Sequence, residues 1–321
     1  MAEKAPYIWM DGAFVRWAEA RVHVLSEVVT RGISVFEGIR AYRGRDDLYV
    51  FRYAEHMARL AQSMKVLRLR PSHDIEALTE AGLELIRRCD FRDDTYLRPC
   101  VYIGEGDAHS HDPAKVFMGA FITAIERPSL RAMAPGKHFC ISSWRRLNDA
   151  AMPPRVKASA NYLNARLAQV QARVDGYDGS ILLRDNGKVS EAPGACIMLV
   201  RGDEVIAPHA ASDILESITR ETLITLARDE LGLKVVEREV DRTELYIADE
   251  VWMCGTGQEI VPIISVDRLP VGTGEIGPVA SRLRTLYFDI VSGEVEQYAH
   301  WLRPVYGEKN EICLQSGLEA P

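Results

Sequence analysis

A lysine followed by small residues, at positions 157–160, has room around it for a reactive ligand. Small neighbours leave Lys157 sterically free to meet a planar molecule, and Tyr162 follows at the start of a predicted helix. Most lysines, however, are solvated on the protein surface. Lys157 alone is therefore better interpreted as an ordinary surface residue, and its companions elsewhere in the chain must decide.

Glu191 is the first of these companions. It ends a predicted hairpin strand and precedes a Pro193-Gly194 turn, where polar side chains meet open space. A buried carboxylate at this position could keep a ring nitrogen protonated by forming an ion pair with it. An exposed glutamate is the competing interpretation, because glutamate is rarely fully buried.

Three further features could bind an anion such as phosphate. Residues 215–220 open a predicted helix, whose first turn offers free N–H groups and a hydroxyl. The small-residue turn 254–257 follows a strand and brings N–H donors and the Thr256 hydroxyl close together. Arg59, on another predicted helix, adds a permanent positive charge and a fork of donors. Most helix starts bind nothing, so each feature is a weak signal by itself.

The elements that must position these residues are mixed. An Asp11-Gly12 turn predicts an N-terminal hairpin, and apolar residues spaced by three and four predict helices from about Ala54 and from about Asn161 to Gly176. Strands outnumber helices and several form hairpins, which favours an α+β protein of two lobes over a doubly wound parallel sheet. We expect a small N-terminal α/β domain (1–126), an interdomain linker (127–136) and a larger C-terminal domain carrying Lys157 (137–321).

Composition limits the classes of partner. The chain has 321 residues, 47% of them hydrophobic, and a formal net charge of -7, which does not favour a nucleic-acid-binding surface. No apolar run approaches the roughly 20 residues that span a bilayer. The six cysteines are scattered without a CxxC pair, which is typical of reduced thiols in a cytoplasmic protein.

Several longer motifs, taken together, make the chain resemble a known family. It is similar over nearly its full length to the class IV, D-amino-acid-aminotransferase-like (fold type IV) enzymes that use pyridoxal 5'-phosphate (PLP), and among them to the branched-chain amino-acid aminotransferases. The motifs run in the family's order: YIWMDG, SVFEGIRAY, FRYAEHMARL, YLRP, SSWRR, KASANYL, GKVSE, SITRETLI, ADEVWMCGT and GPV.

The resemblance implies a role for each matching residue. Lys157 would bind the PLP aldehyde covalently and shuttle the substrate proton, Glu191 would pair with the pyridine nitrogen, and Tyr162 would hydrogen-bond the ring hydroxyl. The phosphate would be held by Arg59, Ile218, Thr219 and Thr256. The substrate pocket would include Phe36, Arg40, Arg98 and Gly257.

Four departures from the family pattern affect the expected substrate. Arg31 stands where a tyrosine is usual, Ala192-Pro193-Gly194 replaces a Gly-rich pattern after the glutamate, Glu216-Ser217 replaces Pro-Gly, and Gly257-Gln258 replaces a small pair. We hypothesise that Arg31, alone or with Arg40 and Arg98, binds a substrate carboxylate. The alternative is that Arg31 pairs with a nearby acid such as Glu27.

The implied activity is amino transfer from a branched-chain L-amino acid to a 2-oxo acid such as 2-oxoglutarate. The same fold also serves aminotransferases of D-amino acids or primary amines, and lyases; a non-catalytic binding protein is a third possibility. The family further implies a homodimer or higher homo-oligomer. No metal site is predicted, because His109-Ser110-His111-Asp112 lacks a further ligand cluster at a recognisable spacing.

Overall fold

Residues 5–106, 112–132 and 136–307 are described by a computed structural model that is built around two β-sheets. The first lobe contains β1 (Tyr7–Met10), β2 (Ala13–Arg16), α1 (Glu27–Thr30), β3 (Ser34–Phe36), β4 (Ile39–Arg43), β5 (Leu48–Phe51), α2 (Tyr53–Leu67), α3 (Ile75–Arg88), β6 (Thr95–Gly106) and β7 (Val116–Glu126). A short 3-10 helix (Pro113–Lys115) precedes β7.

The second lobe follows a connecting segment. Its elements are β8 (Lys137–Arg145), α4 (Asn161–Val174), β9 (Gly179–Leu183), β10 (Glu191–Ala192), β11 (Ala195–Arg201), β12 (Glu204–Pro208), α5 (Ile218–Asp229), β13 (Lys234–Arg238), β14 (Glu250–Gly255), β15 (Glu259–Val266), β16 (Leu269–Pro270) and α6 (Pro278–Val291). Two 3-10 helices (Arg242–Tyr246 and Glu296–Trp301) and a final strand, β17 (Leu302–Pro304), complete the described chain.

The first sheet is antiparallel and has the order β17-β5-β4-β6-β7-β1-β2, with β3 paired to β6. Its N-terminal hairpin forms as the turn chemistry predicts, because Asp11 (φ 47°) and Gly12 (φ 94°) both adopt the left-handed conformation that a two-residue hairpin turn requires. Helices α2 and α3 cover the sheet with buried apolar residues such as Leu60 and Leu83. The predicted helix from about Ala54 is thus confirmed.

The second sheet is mixed, in the order β13-β12-β11-β14-β15-β8-β9, with β10 on β11 and β16 on β15. Helices α5 and α6 bury Leu223 and Tyr287 against one face, where Trp252 of β14 is also completely buried. This core also includes Tyr42 and Phe51 of the first sheet, so the two lobes pack directly against each other, and side chains of both can meet where the lobes adjoin.

The division between the two sheets lies near the predicted linker, and the last strand crosses it. The two sheets divide between Glu126 and Lys137, where a linker was expected, and part of 127–136 is described. Strand β17, however, returns to the first lobe and pairs with β5 at Leu302↔Phe51. The domain bounds stay a prediction, and the last strand lies in the sheet of the N-terminal part.

Three further expectations concerned membrane spans, cysteines and metal ligands. None of the helices among the described residues is long and apolar enough to cross a membrane. The described cysteines are free thiols, and Cys313 lies outside the described ranges. His109, Ser110 and His111 also lie outside the described residues. Within the described ranges, no group of three or more His, Cys, Asp or Glu side chains could hold a metal ion.

Candidate active site

A cavity of about 220 Å³ lies between the two lobes. The first lobe and the connecting segment line it with Phe36, Gly38, Arg59, Tyr96, Arg98 and Arg127. The second lobe lines it with Arg146, Lys157, Tyr162, Glu191, Ser217 and Thr256, among others. The fold thus brings together residues more than 200 positions apart in the chain.

Lys157 is held at the cavity by backbone contacts between the lobes. Its carbonyl accepts the Phe36 N–H at 3.1 Å, and Ser159 N–H donates to the Ser34 carbonyl at 3.0 Å. The Lys157 N–H donates to the Ser63 hydroxyl on α2 at 3.2 Å. The Lys157 ammonium donates to the Tyr162 hydroxyl at 3.0 Å. A fixed backbone therefore presents the Lys157 amine to the cavity beside a phenol.

Glu191 is buried in the same cavity, where two neighbouring groups contact its carboxylate. Its Oε1 lies 3.0 Å from Arg146 Nη2, and its Oε2 accepts the Leu215 N–H at 3.1 Å. Burial raises the pKa of Glu191 above its usual value, while Arg146, the Leu215 N–H and Lys157 oppose that rise. A carboxylate placed in this way would interact strongly with any cationic ring atom in the cavity.

A buried triad on α2 and the β3–β4 connection holds Arg59, and sequence reasoning missed it. Glu37 accepts two hydrogen bonds from Arg59, Nε and Nη2, both at 2.7 Å, and its Oε2 lies 2.8 Å from His56 Nδ1. Burial opposes ionisation of Glu37, but Arg59 and His56 hold the pKa of Glu37 far below its usual value. Glu37 is therefore ionised, and His56 donates to it. A Glu in the first lobe followed by an i, i+3 His–Arg pair was the available signal.

The other expected anion contacts occupy two backbone turns near Arg59. Ser217 caps α5, and its hydroxyl accepts the Arg220 N–H at 3.2 Å. Ile218 and Thr219 form the first turn of that helix and are buried, while Ser217 and Thr256 reach the cavity surface. The remaining Arg59 donor, Nη1, binds the Glu216 carbonyl at 2.7 Å and so connects α2 to the start of α5.

The expected substrate residues separate into two groups. Phe36, Arg98 and Gly257 line the cavity. Arg40 does not: its Nε lies 3.6 Å from Glu259 Oε1 and donates to the Thr256 carbonyl at 3.3 Å, beneath the 254–257 turn. Arg31 is exposed at the end of α1 and lies 3.4 Å from Glu27 Oε1, which is the pairing considered as the alternative.

Arg127 and Tyr96 were not selected from the sequence, yet both line the cavity. Arg127 Nη2 donates to the Gly257 carbonyl at 2.8 Å, and its guanidinium lies 5.2 Å from the centre of the Tyr96 ring. Gly38 is needed here because a Cβ at that position would lie 1.9 Å from the Tyr96 hydroxyl. Arg127 was assigned to a linker, where no local pattern signals a site.

Comparison with known proteins agrees with this geometry. Residues 34–266 match the family described as Amino-transferase class IV. The chain belongs to the class IV aminotransferase family. The branched-chain-amino-acid aminotransferase of Salmonella typhimurium is 39% identical over 306 residues, which cover 94% of this chain and 98% of that protein.

Solved structures of class IV aminotransferases share the fold. The branched-chain amino acid aminotransferase of Thermobaculum terrenum in its PLP form has a TM-score of 0.89 at 40% identity, covering 94% of this chain and 99% of that one. The enzyme of Thermoproteus uzoniensis with norvaline has a TM-score of 0.88 at 40% identity, with the same coverage. The family and the α+β, fold-type-IV architecture predicted from the sequence are confirmed.

Proposed function

We propose that this protein is a PLP-dependent aminotransferase that moves the amino group of a branched-chain L-amino acid to a 2-oxo acid such as 2-oxoglutarate. One observation carries the proposal: the Lys157 amine and the buried Glu191 carboxylate face one cavity. The names of its relatives, branched-chain aminotransferases, support the choice of amino donor.

The donor set of the cavity fits PLP. Lys157 offers the amine for the aldehyde, Tyr162 a phenol for the ring hydroxyl, and Glu191 a buried carboxylate for the pyridine nitrogen. The phosphate would be held by Arg59, Thr256 and the N–H groups of Ile218 and Thr219 at the first turn of α5. Arg59 is suited to this role because Glu37 fixes its Nε and Nη2 donors. Its third nitrogen, Nη1, is then directed towards the start of α5, where it contacts the Glu216 carbonyl.

The chemistry divides between cofactor and chain. PLP, when bound, supplies an aldehyde that takes up the substrate amino group and a ring that withdraws electrons from the substrate Cα. Lys157 would bind that aldehyde in the resting enzyme and, once freed by the substrate amine, would carry the proton from Cα. Tyr162 holds the Lys157 amine through its hydroxyl. Glu191 would hold the proton on the ring nitrogen, and Arg146, 3.0 Å away, opposes the rise that burial causes in the pKa of Glu191.

We further propose that two copies of the chain associate. Large apolar side chains are exposed along α4 and near α1, including Leu163 at 65% and Val174 at 81%. Exposed apolar residues gathered on one face are typical of protein interfaces. Arg31 lies next to this surface, beside the exposed Val29. A partner covering α1 would bury Arg31. Its predicted role in carboxylate binding therefore stays a hypothesis about the assembled protein.

The buried free thiols, such as Cys196 and Cys254, support a cytoplasmic location.

The test is an absorption spectrum of the purified protein with PLP, titrated with L-leucine, L-glutamate and D-alanine. We expect a visible band that L-leucine bleaches and that Lys157→Ala lacks. Bleaching by D-alanine alone would move the assignment to D-amino acids. A protein that binds PLP but responds to no amine would instead contradict the transaminase proposal.

A further inference from the structure

Arg52 lies immediately before α2 and has a backbone conformation that is rare for its residue type. Its φ is 48° and its ψ is 44°, in the left-handed region, and the residue is only 6% exposed. Non-glycine residues keep this conformation where the surrounding structure fixes them, often near ligand sites. The contacts of Arg52 therefore indicate what the residue holds.

Three contacts fix the backbone and the Nε atom of Arg52. Its N–H donates to the Trp301 carbonyl at 2.7 Å, and its guanidinium carbon lies 5.1 Å from the centre of the Trp301 ring. Its Nε donates to Glu55 Oε1 at 2.7 Å. The side chain is thus held on the first-lobe side, and its two terminal nitrogens remain for other partners.

Those two nitrogens cross to α5 in the second lobe. Nη1 donates to the Thr222 hydroxyl at 3.1 Å and to the Ile218 carbonyl at 3.4 Å. The Thr222 hydroxyl in turn donates to the Ile218 carbonyl at 2.9 Å. The carbonyls of a first helical turn point away from its free N–H groups. Arg52 therefore holds the start of α5 by its carbonyl side and leaves the N–H groups free.

Arg52 and Arg59 act on the same short segment. They are seven positions apart, about two helical turns, and Arg59 Nη1 donates to the Glu216 carbonyl at 2.7 Å. Two arginines of the first lobe thus hold residues 216 and 218 by their carbonyl oxygens. The charge of Arg52 already has carboxylate partners, Glu55 at 2.7 Å and Glu221 at 3.4 Å. Arg52 is therefore suited to fix geometry rather than to supply charge.

We propose that Arg52 is a positioning residue for the PLP phosphate, because it keeps the first turn of α5 at a fixed place relative to Arg59. The phosphate ligands proposed above come from both lobes: Arg59 from α2, and the N–H groups of Ile218 and Thr219 from α5. They can act together only while the two helices keep their relative position. This inference rests on the proposed function, and specifically on the phosphate site assigned there.

Binding of PLP and of pyridoxal to the full-length protein, freed of cofactor and titrated with each, tests the proposal. Pyridoxal has the same ring and aldehyde but no phosphate, so it reports every contact except those of the phosphate. The Kd of each ligand is read from the visible absorption band for the wild type, Arg52→Lys and Arg52→Gly. Arg68→Gly is the matched control, because Arg68 ends the same helix with a left-handed φ of 55° but is exposed.

We expect Arg52→Lys and Arg52→Gly to raise the Kd of PLP on the order of tenfold, from loss of a charged hydrogen bond, and to leave the Kd of pyridoxal unchanged. Lysine keeps the charge but lacks the fork that contacts Thr222 and Ile218 together. Glycine adopts the left-handed conformation readily, so Arg68→Gly should alter neither Kd. An equal loss for PLP and pyridoxal would mean a general structural role and overturn the proposal. An unchanged PLP Kd would overturn it too.

Thr222→Val approaches the same contact from α5, and it keeps the proposal testable if Arg52→Gly does not fold. Valine keeps the shape of threonine and removes the hydroxyl that Arg52 contacts. If Arg52 acts through α5, the PLP Kd of Arg52→Lys combined with Thr222→Val should rise less than the product of the two single effects. Effects that multiply would show that Arg52 acts by another route, which contradicts the proposal.

Turnover at saturating PLP, with L-leucine and 2-oxoglutarate, separates this inference from the proposed function. A wild type that turns over, together with an unchanged PLP Kd in Arg52→Lys, refutes the role of Arg52 and leaves the aminotransferase standing. A wild type that binds PLP more tightly than pyridoxal but transfers no amino group refutes the proposed function. The effect of Arg52→Lys on the PLP Kd then still decides the role of Arg52.

Discussion

Replacement of Glu37 by glutamine tests how Arg59, the proposed phosphate ligand, is held. Glu37 is completely buried and accepts two charged hydrogen bonds from Arg59 and one from His56. The amide of glutamine keeps the shape but has no charge and only one acceptor atom. Arg59 would then remain as a buried cation without a carboxylate partner.

The expected cost is large because the ion pair is buried. Removing one member of such a pair typically destabilises a protein by about 3 kcal/mol or more. The sign of the pH dependence follows from the depressed pKa of Glu37 in the folded state. Its contribution is complete above the ordinary carboxyl pKa of 4.5 and is lost as the pH falls below that value. At pH 4 the difference between wild type and variant should be smaller by about 1 kcal/mol.

Urea unfolding of the PLP-free protein at pH 7.5 and pH 4 measures both quantities. Glu84→Gln is the control, because Glu84 also pairs with two cations, Arg87 and Arg88, but on the surface of α3. Such exposed pairs contribute about 0–1 kcal/mol. If Glu37→Gln costs no more than Glu84→Gln at pH 7.5, the claim that Glu37 holds a buried Arg59 charge is refuted.

Three further changes have definite expected outcomes. Gly38→Ala places a Cβ 1.9 Å from the Tyr96 hydroxyl. We expect thermal unfolding to show a free energy of unfolding lower by about 1–3 kcal/mol, and kcat/KM to fall with every donor. Unchanged kinetics would show that Gly38 does not confine Tyr96. Glu191→Gln removes the carboxylate that we propose pairs with the ring nitrogen, so kcat should fall about 100-fold or more, while borohydride should still attach PLP to Lys157. A near-normal kcat would exclude that role. Leu163→Glu with Val174→Glu puts charges on the exposed apolar face of α4, and sedimentation should show monomers in place of dimers, whereas a monomeric wild type would refute association.

The sequence specified local structure well but could not show what each face of an element contacts. The hairpin at Asp11-Gly12 and helix α2 formed as predicted, because turn chemistry and apolar spacing act within a few residues. In α4 the predicted apolar stripe includes Leu163 and Val174, yet that face is exposed, and the small residues Ala168 and Ala172 pack against the sheet. Periodicity identifies a helix without identifying its partner.

In the site, too, local motifs were readable from the sequence, whereas contacts across the molecule were not. The motifs led to Lys157, Tyr162 and Glu191, which the fold gathers in one cavity. Glu37 and Arg127 were missed because their significance depends on contacts across the molecule: Glu37 reaches α2, and Arg127 reaches the Gly257 turn. Arg40 belongs to a matching motif, but its ion pair with Glu259, 219 positions away, places it below the cavity.

The central claim is that Lys157 is the residue that binds PLP and carries out the proton transfer. The most direct measurement is borohydride reduction of the PLP-loaded protein, followed by mass spectrometry of its peptides. We predict one pyridoxyl phosphate group per chain, attached to Lys157, and no attachment after prior bleaching of the visible band with amino donor. Attachment to another lysine, or no attachment at all, would contradict the account.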